Sequence, residues 1–147
     1  MSSERPTGVS WQPGSRQRPD RFAAAISDRP SVDWRDCDVD DDFDYTLFYI
    51  GSDPEVQWQK SPLAHVRDVT MPVLVVVAEQ DLRCPPGQGR QLFSALTRAG
   101  KQTELLSFPG ASHMFHDSGL PSHRIARLDA IIDWFDQHLT GADQGAS

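Results

Sequence analysis

Two residues, Asp81 and His113, stand where chemistry is expected, each just after an apolar run that reads as a strand. A carboxylate hydrogen-bonded to one imidazole nitrogen fixes the histidine tautomer and leaves the other nitrogen as a base. Such a pair activates a hydroxyl or thiol nucleophile. Neighbouring parallel strands lie about 4.8 Å apart, so side chains on adjacent carboxyl-end loops can meet. The plainer alternative is that Asp81 caps a turn and His113 lines a loop.

Other residues invite weaker readings. Gly8-Val-Ser-Trp-Gln12 contains a serine between a glycine and a glutamine, without the second glycine of a nucleophile elbow, so no nucleophile is assigned to Ser10. Asp36, Asp38 and Asp40 alternate as in a calcium loop, but Asp41 and Leu47 stand where an EF-hand needs Gly and Glu. A solvated acidic loop is the better description. His113 and His116 lack both an HExxH context and a third ligand, which argues against zinc. Arg83 is expected to pair with nearby carboxylates. Cys84 precedes two prolines and reads as packing, and it follows the acid rather than sitting on an elbow.

The elements that must hold Asp81 and His113 are legible. Residues 71–78, MPVLVVVA, form an unbroken β-branched run, as in a strand buried on both faces of a parallel sheet. Residues 79–86 form the loop that carries Asp81. Residues 88–98 form a helix with Leu92, Phe93 and Leu96 as its apolar stripe and Gly100 as its stop. A second strand, 103–108, leads into a loop over 109–121 that carries His113. The last helix, 122–139, places Ile125, Leu128, Ile131, Ile132, Phe135 and Leu139 on one face. Strand–helix–strand–helix order implies an α/β fold with a parallel sheet, whose working residues lie beyond the carboxyl ends of the strands.

The first half is less regular. Residues 1–19 show no apolar period and are expected to be disordered. Residues 22–27 read as a buried strand, although the alanines there would also suit a helix. An Asp-rich stretch (33–44) and the run 45–50 precede a short helix over 53–60 that starts Asp-Pro, and Ser61-Pro62 opens a further turn. The expected organisation is a disordered segment (1–19), a single domain (20–139) and a polar tail (140–147).

Composition narrows the function classes. Of 147 residues, 38% are hydrophobic and 24% charged, the balance of a globular domain, and the net charge is −7. That sign argues against nucleic acid and against anionic membranes as partners. No window suits a membrane span, and the polar start lacks the apolar core of a signal peptide, so the expected compartment is the cytoplasm. Two cysteines, Cys37 and Cys84, without CxxC spacing, are expected as thiols.

Residues 20–139 resemble the C-terminal catalytic part of prolyl-oligopeptidase-family serine peptidases, particularly the acylaminoacyl-peptidase branch. The resemblance is carried by Asp20-Arg-Phe-Ala-Ala-Ala-Ile, Val32-Asp-Trp34, Ser61-Pro-Leu-Ala-His-Val66 and Pro72-Val-Leu-Val-Val-Val-Ala-Glu-Gln-Asp-Leu-Arg-Cys-Pro85. It continues through Gln88-Gly, Phe108-Pro-Gly-Ala-Ser-His113, and Ser118-Gly-Leu-Pro-Ser-His-Arg124 with Trp134. It implies a partial α/β-hydrolase fold, Asp81 as the triad acid, His113 as the base and no cofactor. Nucleophile, acid, histidine is the chain order of that fold, and Asp81 before His113 supplies the last two. His123 and Arg124 belong to the shared motif and are expected to fix the histidine loop. The parent enzyme would cleave oligopeptides or acylated N-termini.

The Gly-x-Ser-x-Gly elbow of that family would fall shortly before Asp20, and it is not in this sequence. The chain alone is therefore expected to be inert as a peptidase, a C-terminal fragment of a truncated or mis-started enzyme. The alternatives are a half-enzyme completed by another chain and a non-catalytic binding module. A dienelactone-hydrolase-like esterase is the alternative parent chemistry. The strand at 22–27 would lose its partner, leaving a sheet edge open to a complementing chain or to self-association.

Overall fold

The computed structural model describes residues 22–36 and 50–139. The expected disordered start, most of the acidic stretch and the tail lie outside these residues. Three strands form one parallel sheet: β1 (Ala25–Asp28), β2 (Val73–Ala78) and β3 (Thr103–Phe108), in the order β1-β2-β3. Ala25 lies opposite Val73, and the β2–β3 register runs from Val73↔Thr103 to Ala78↔Phe108. Helices α1 (Pro54–Lys60) and α2 (Pro86–Arg98), the short α3 (Phe115–Ser118) and α4 (Pro121–Leu139) complete the fold, with a 3₁₀ helix over Pro62–Asp68.

All six residues of β2 are buried, as its unalternating sequence requires. Successive side chains point to opposite faces, and β2 thereby serves two cores. Val73, Val75 and Val77 pack with Val32, Val69, Leu92 and Leu96 on the α2 side. Leu74, Val76 and Ala78 pack with Phe108, Ala111, Phe115 and Trp134 on the α4 side. The α2 side is tight: a Cβ at Gly89 would lie 2.2 Å from Val77 Cγ1, so only glycine lets helix and strand approach this closely.

The polar groups that enter these layers are paired. Buried Gln88, in the first turn of α2, accepts the backbone N–H groups of Val32 and Asp33 through Oε1 at 2.9 and 2.8 Å. It thereby takes up two donors that the chain leaves behind after β1. Ser61, fully buried, donates to Gln57 O at 2.7 Å and accepts from Trp34 N–H at 2.9 Å. Asp53 caps α1 by accepting Glu55 N–H, and Pro54 starts the helix.

Two expectations need correction. The first strand is Ala25–Asp28 rather than 22–27, and Phe22 is exposed. The expected apolar stripe of α4 faces the sheet only in part: Phe135 packs against the core, whereas Ile125, Leu128, Ile132 and Leu139 are 52–61% exposed, and Trp134 is the helix's buried residue. The side turned inward runs through Arg127, Ile131, Trp134 and His138, at helical spacing. Its polar members all have partners on the sheet or in the loops, which hides an inward face from a purely apolar periodicity. Arg127 pairs with Asp28, and His138 donates from Nδ1 to Trp134 O (2.7 Å) and accepts at Nε2 from Gln102 Nε2 (3.0 Å). Trp134 donates its indole N–H to Ala25 O at 3.1 Å.

β1 is an edge strand among the described residues. Ala25 N–H bonds Pro72 O and Arg29 N–H bonds Val76 O. In a parallel ladder the intervening residues, Ile26 and Asp28, therefore turn their peptide groups to the outer edge.

Candidate active site

Asp81 lies in the loop after β2 and His113 in the loop after β3, and the structure brings them together. His113 Nδ1 is 2.8 Å from Asp81 Oδ2. An ionised carboxylate only accepts, so Nδ1 carries the proton and Nε2 is left with its lone pair. The other oxygen, Oδ1, accepts the backbone N–H groups of Arg83 and Cys84 at 2.9 and 2.8 Å. The loop thus folds around the carboxylate and fixes its orientation independently of the imidazole. The Asp81 side chain is wholly buried, whereas that of His113 is 28% exposed. One partner is held and the other is reachable.

The two loops are tied to each other by backbone bonds. Glu79 N–H donates to Phe108 O (3.1 Å) and Gln80 N–H to Ala111 O (2.9 Å). Gly110, at φ 69°, supplies the left-handed turn that reverses the β3 loop. Beyond His113, Phe115 is fully buried, its ring 4.8 Å from that of Phe108. Gly119 closes this short turn, where a Cβ would lie 2.4 Å from Phe115 O. His123, in the first part of α4, lies 5.4 Å from the Phe108 ring, so it packs beneath the histidine loop.

A third loop reaches the site and was not anticipated from the sequence. At the end of β1, Asp28 accepts from two guanidiniums: Arg29 through Nε (2.9 Å) and Nη2 (3.1 Å), and Arg127 of α4 through Nε (2.9 Å) and Nη2. Arg29 Nη1 also donates to the backbone carbonyl of His113 and lies 2.6 Å from His116 Nδ1. Burial and the neighbouring Arg29 hold the His116 imidazole below its ordinary pKa. The signal in the sequence was a charged pair, Asp28-Arg29, at the carboxyl end of a strand, where open α/β sheets place working residues.

A cavity of about 610 Å³ runs beside β1, lined by Ile26, Val32, Trp34, Val66, Leu92 and their neighbours, and it reaches His116 and Arg127. Asp81 and His113 are not among its described lining residues; it follows the β1 side of the sheet. Among the described residues, no three His, Cys, Asp or Glu side chains converge as metal ligands, and no helix is long and apolar enough to cross a membrane.

Comparison with known proteins gives one consistent set of matches. The model of the prolyl oligopeptidase family matches residues 14–142. The chain is 40% identical over 125 residues to the uncharacterized peptidase YuxL of Bacillus subtilis (strain 168), covering 81% of this chain and 19% of that protein. It is 32% identical over 90 residues to acylamino-acid-releasing enzyme 2 of Oryza sativa subsp. japonica, covering 61% and 11%. The acylaminoacyl peptidase of Pyrococcus horikoshii superposes with a TM-score of 0.76 at 27% identity, covering 82% of this chain and 21% of that one. The chain thus spans about a fifth or less of the length of these relatives. Its sheet and helices are part of the α/β fold that they share.

Proposed function

The chain belongs to the prolyl oligopeptidase family, and from that membership we propose that Asp81 and His113 act as the acid and base of a serine-peptidase triad. The observation that carries this is the 2.8 Å contact of His113 Nδ1 with an Asp81 carboxylate that two backbone N–H groups already orient. In this reading Nε2 takes the proton of a serine hydroxyl as it attacks a carbonyl, then returns it to the leaving amine. Asp81 stays ionised and stabilises the imidazolium that forms in between. The substrate class is an oligopeptide or an acylated N-terminal residue, supported by the names of the relatives. No cofactor takes part. Residues 20–139 are the domain that does this work.

The serine must come from outside these 147 residues, because the sequence holds no Gly-x-Ser-x-Gly segment. Losing the nucleophile alone costs a serine hydrolase several orders of magnitude in rate. The purified chain should leave an acylated amino-acid ester intact. Ester hydrolysis that a serine-directed fluorophosphonate blocks would refute this.

A second reading is supported by the outer edge of β1, unpaired among the described residues, which suits a half-enzyme completed by another chain. Mixing the chain with a separately produced segment that bears the elbow of a relative should then restore hydrolysis. His113→Ala should abolish the restored activity. Association without restored hydrolysis would favour a binding module, and a dimer of the chain alone would favour self-association through the edge.

A further inference from the structure

The cluster around Arg29 has a charge count that explains its geometry. One carboxylate, Asp28, faces two guanidiniums, so the pair Arg29 and Arg127 leaves one positive charge in excess. Asp28 and Arg29 are each only 12% exposed, which leaves water little access to either side chain. The excess N–H groups of Arg29 must therefore find acceptors within the protein. They find two, the His113 carbonyl and His116 Nδ1. Arginine stays protonated and can only donate. His116 must then present a lone pair at Nδ1, which makes it the neutral tautomer protonated at Nε2.

The backbone tells the same story independently. Arg29 is the non-glycine residue with positive φ, at 49°, among the described residues. A left-handed conformation costs an ordinary residue about 1 kcal/mol or more and persists where the surroundings dictate it. Here it sits between the last backbone bond of β1, from Arg29 N–H to Val76 O (2.8 Å), and Pro30. The Arg29 guanidinium lies 5.6 Å over the buried Phe115 ring, so its side chain is held on a third side.

We propose that Arg29 is a positioning residue for His113. Asp28, itself held by Arg127, clamps its guanidinium, which pins the His113 carbonyl and so sets where the imidazole meets Asp81. The histidine is then held twice, by its ring through Asp81 and by its peptide through Arg29. His116 takes part as a neutral acceptor that keeps the guanidinium aimed at that carbonyl. The clamp rests on the reading of Asp81 and His113 as an acid–base pair only for its purpose; the geometry stands without it.

Nuclear magnetic resonance on the full chain tests this without an activity assay. Long-range proton–nitrogen spectra report the tautomer of each imidazole, and the His113 Nδ1 proton reports its bond to Asp81. In the unaltered chain His116 should carry its proton on Nε2; a proton on Nδ1 would overturn the clamp outright. Arg29→Met should speed exchange of the His113 Nδ1 proton about ten- to hundredfold, the effect of losing one charge-assisted hydrogen bond. The amides of Val73–Ala78 should stay protected. Arg29→Lys keeps the charge beside Asp28 but lacks the fork that reaches both acceptors, and should show the same loss in part. If the methionine variant does not fold, the lysine variant and the His116 tautomer still decide. An unchanged His113 proton in a folded Arg29 variant would sink the proposal. Asp81→Asn separates the two ideas: a His113 Nδ1 proton whose exchange is insensitive to that change would refute the acid–base pair while leaving the clamp intact.

Discussion

Helices α2 and α4 cover opposite faces of the same strand, and they do so by opposite means. On α2 the apolar stripe points where periodicity says it should, with Leu92 and Leu96 buried against the odd-numbered valines of β2 and Gly89 allowing close approach. On α4 a single large side chain, Trp134, is buried, polar Arg127 and His138 lie inward, and four aliphatic residues point outward. The first helix is built to hold the sheet together. The second gives up apolar burial to bring Arg127 to the carboxyl end of β1, next to the histidine loop, while Trp134 and His138 find hydrogen-bond partners at the opposite end of the sheet. Stability and site geometry are thus assigned to different faces of the sheet.

Substitutions can break or sharpen this contrast. The largest effect is expected on the α2 side, where Leu96→Ala should cost about 2–5 kcal/mol in urea unfolding, because a buried aliphatic leaves a cavity. That is a large part of the 5–15 kcal/mol that holds a typical domain together. Gly89→Ala should cost about 1–3 kcal/mol by overpacking against Val77. A loss as small as that of a surface change would mean that helix and strand are not in contact as described. On the α4 side, Trp134→Phe keeps most of the apolar bulk and removes the bond to Ala25 O, for about 1 kcal/mol.

Acid should act through His116 of α3, beside α4. The folded-state pKa of His116 lies below its ordinary value of 6.5, through burial first and then the charges of Arg29 and Arg127, opposed by Asp28 and Asp117. The unfolded chain therefore takes up the proton first. The stability that His116 contributes is complete above about pH 6.5 and is lost as pH falls from there through the lowered folded-state pKa. Unfolding curves across that window should show the loss in the unaltered chain and not in His116→Gln. The smallest effect belongs to the outward face: Ile132→Ser should change stability by no more than about 0.5 kcal/mol. A cost of several times that would show that this face is covered in solution, and the contrast between the helices would fall.

What the sequence disclosed follows from the same division. β2 is legible because a strand buried on both faces needs an unbroken apolar run, and 71–78 supplies one. The meeting of Asp81 and His113 is legible because parallel strands put successive carboxyl-end loops side by side. The inward face of α4 was not, since its polar residues are buried by virtue of partners far away in the chain, such as Arg127 with Asp28. Arg29 was missed for a related reason. Its importance lies in a left-handed turn and in bonds to a carbonyl across the fold, neither of which leaves a periodic trace.

The parallel sheet has a consequence for the order in which the molecule assembles. Neither strand pair is a hairpin; joining Val73 to Thr103 closes the loop that holds α2, whereas joining Ala25 to Val73 closes a longer stretch of chain. Closing a longer loop costs more entropy and slows the step. β2, α2 and β3 should therefore form the nucleus, and β1 should dock afterwards. Because Asp28 and Arg29 ride on β1, the histidine would reach its final alignment only in that last event. In hydrogen exchange, β1 should be the first strand to open, and each opening would release the Arg29 contact to His113 while the sheet beneath stays folded.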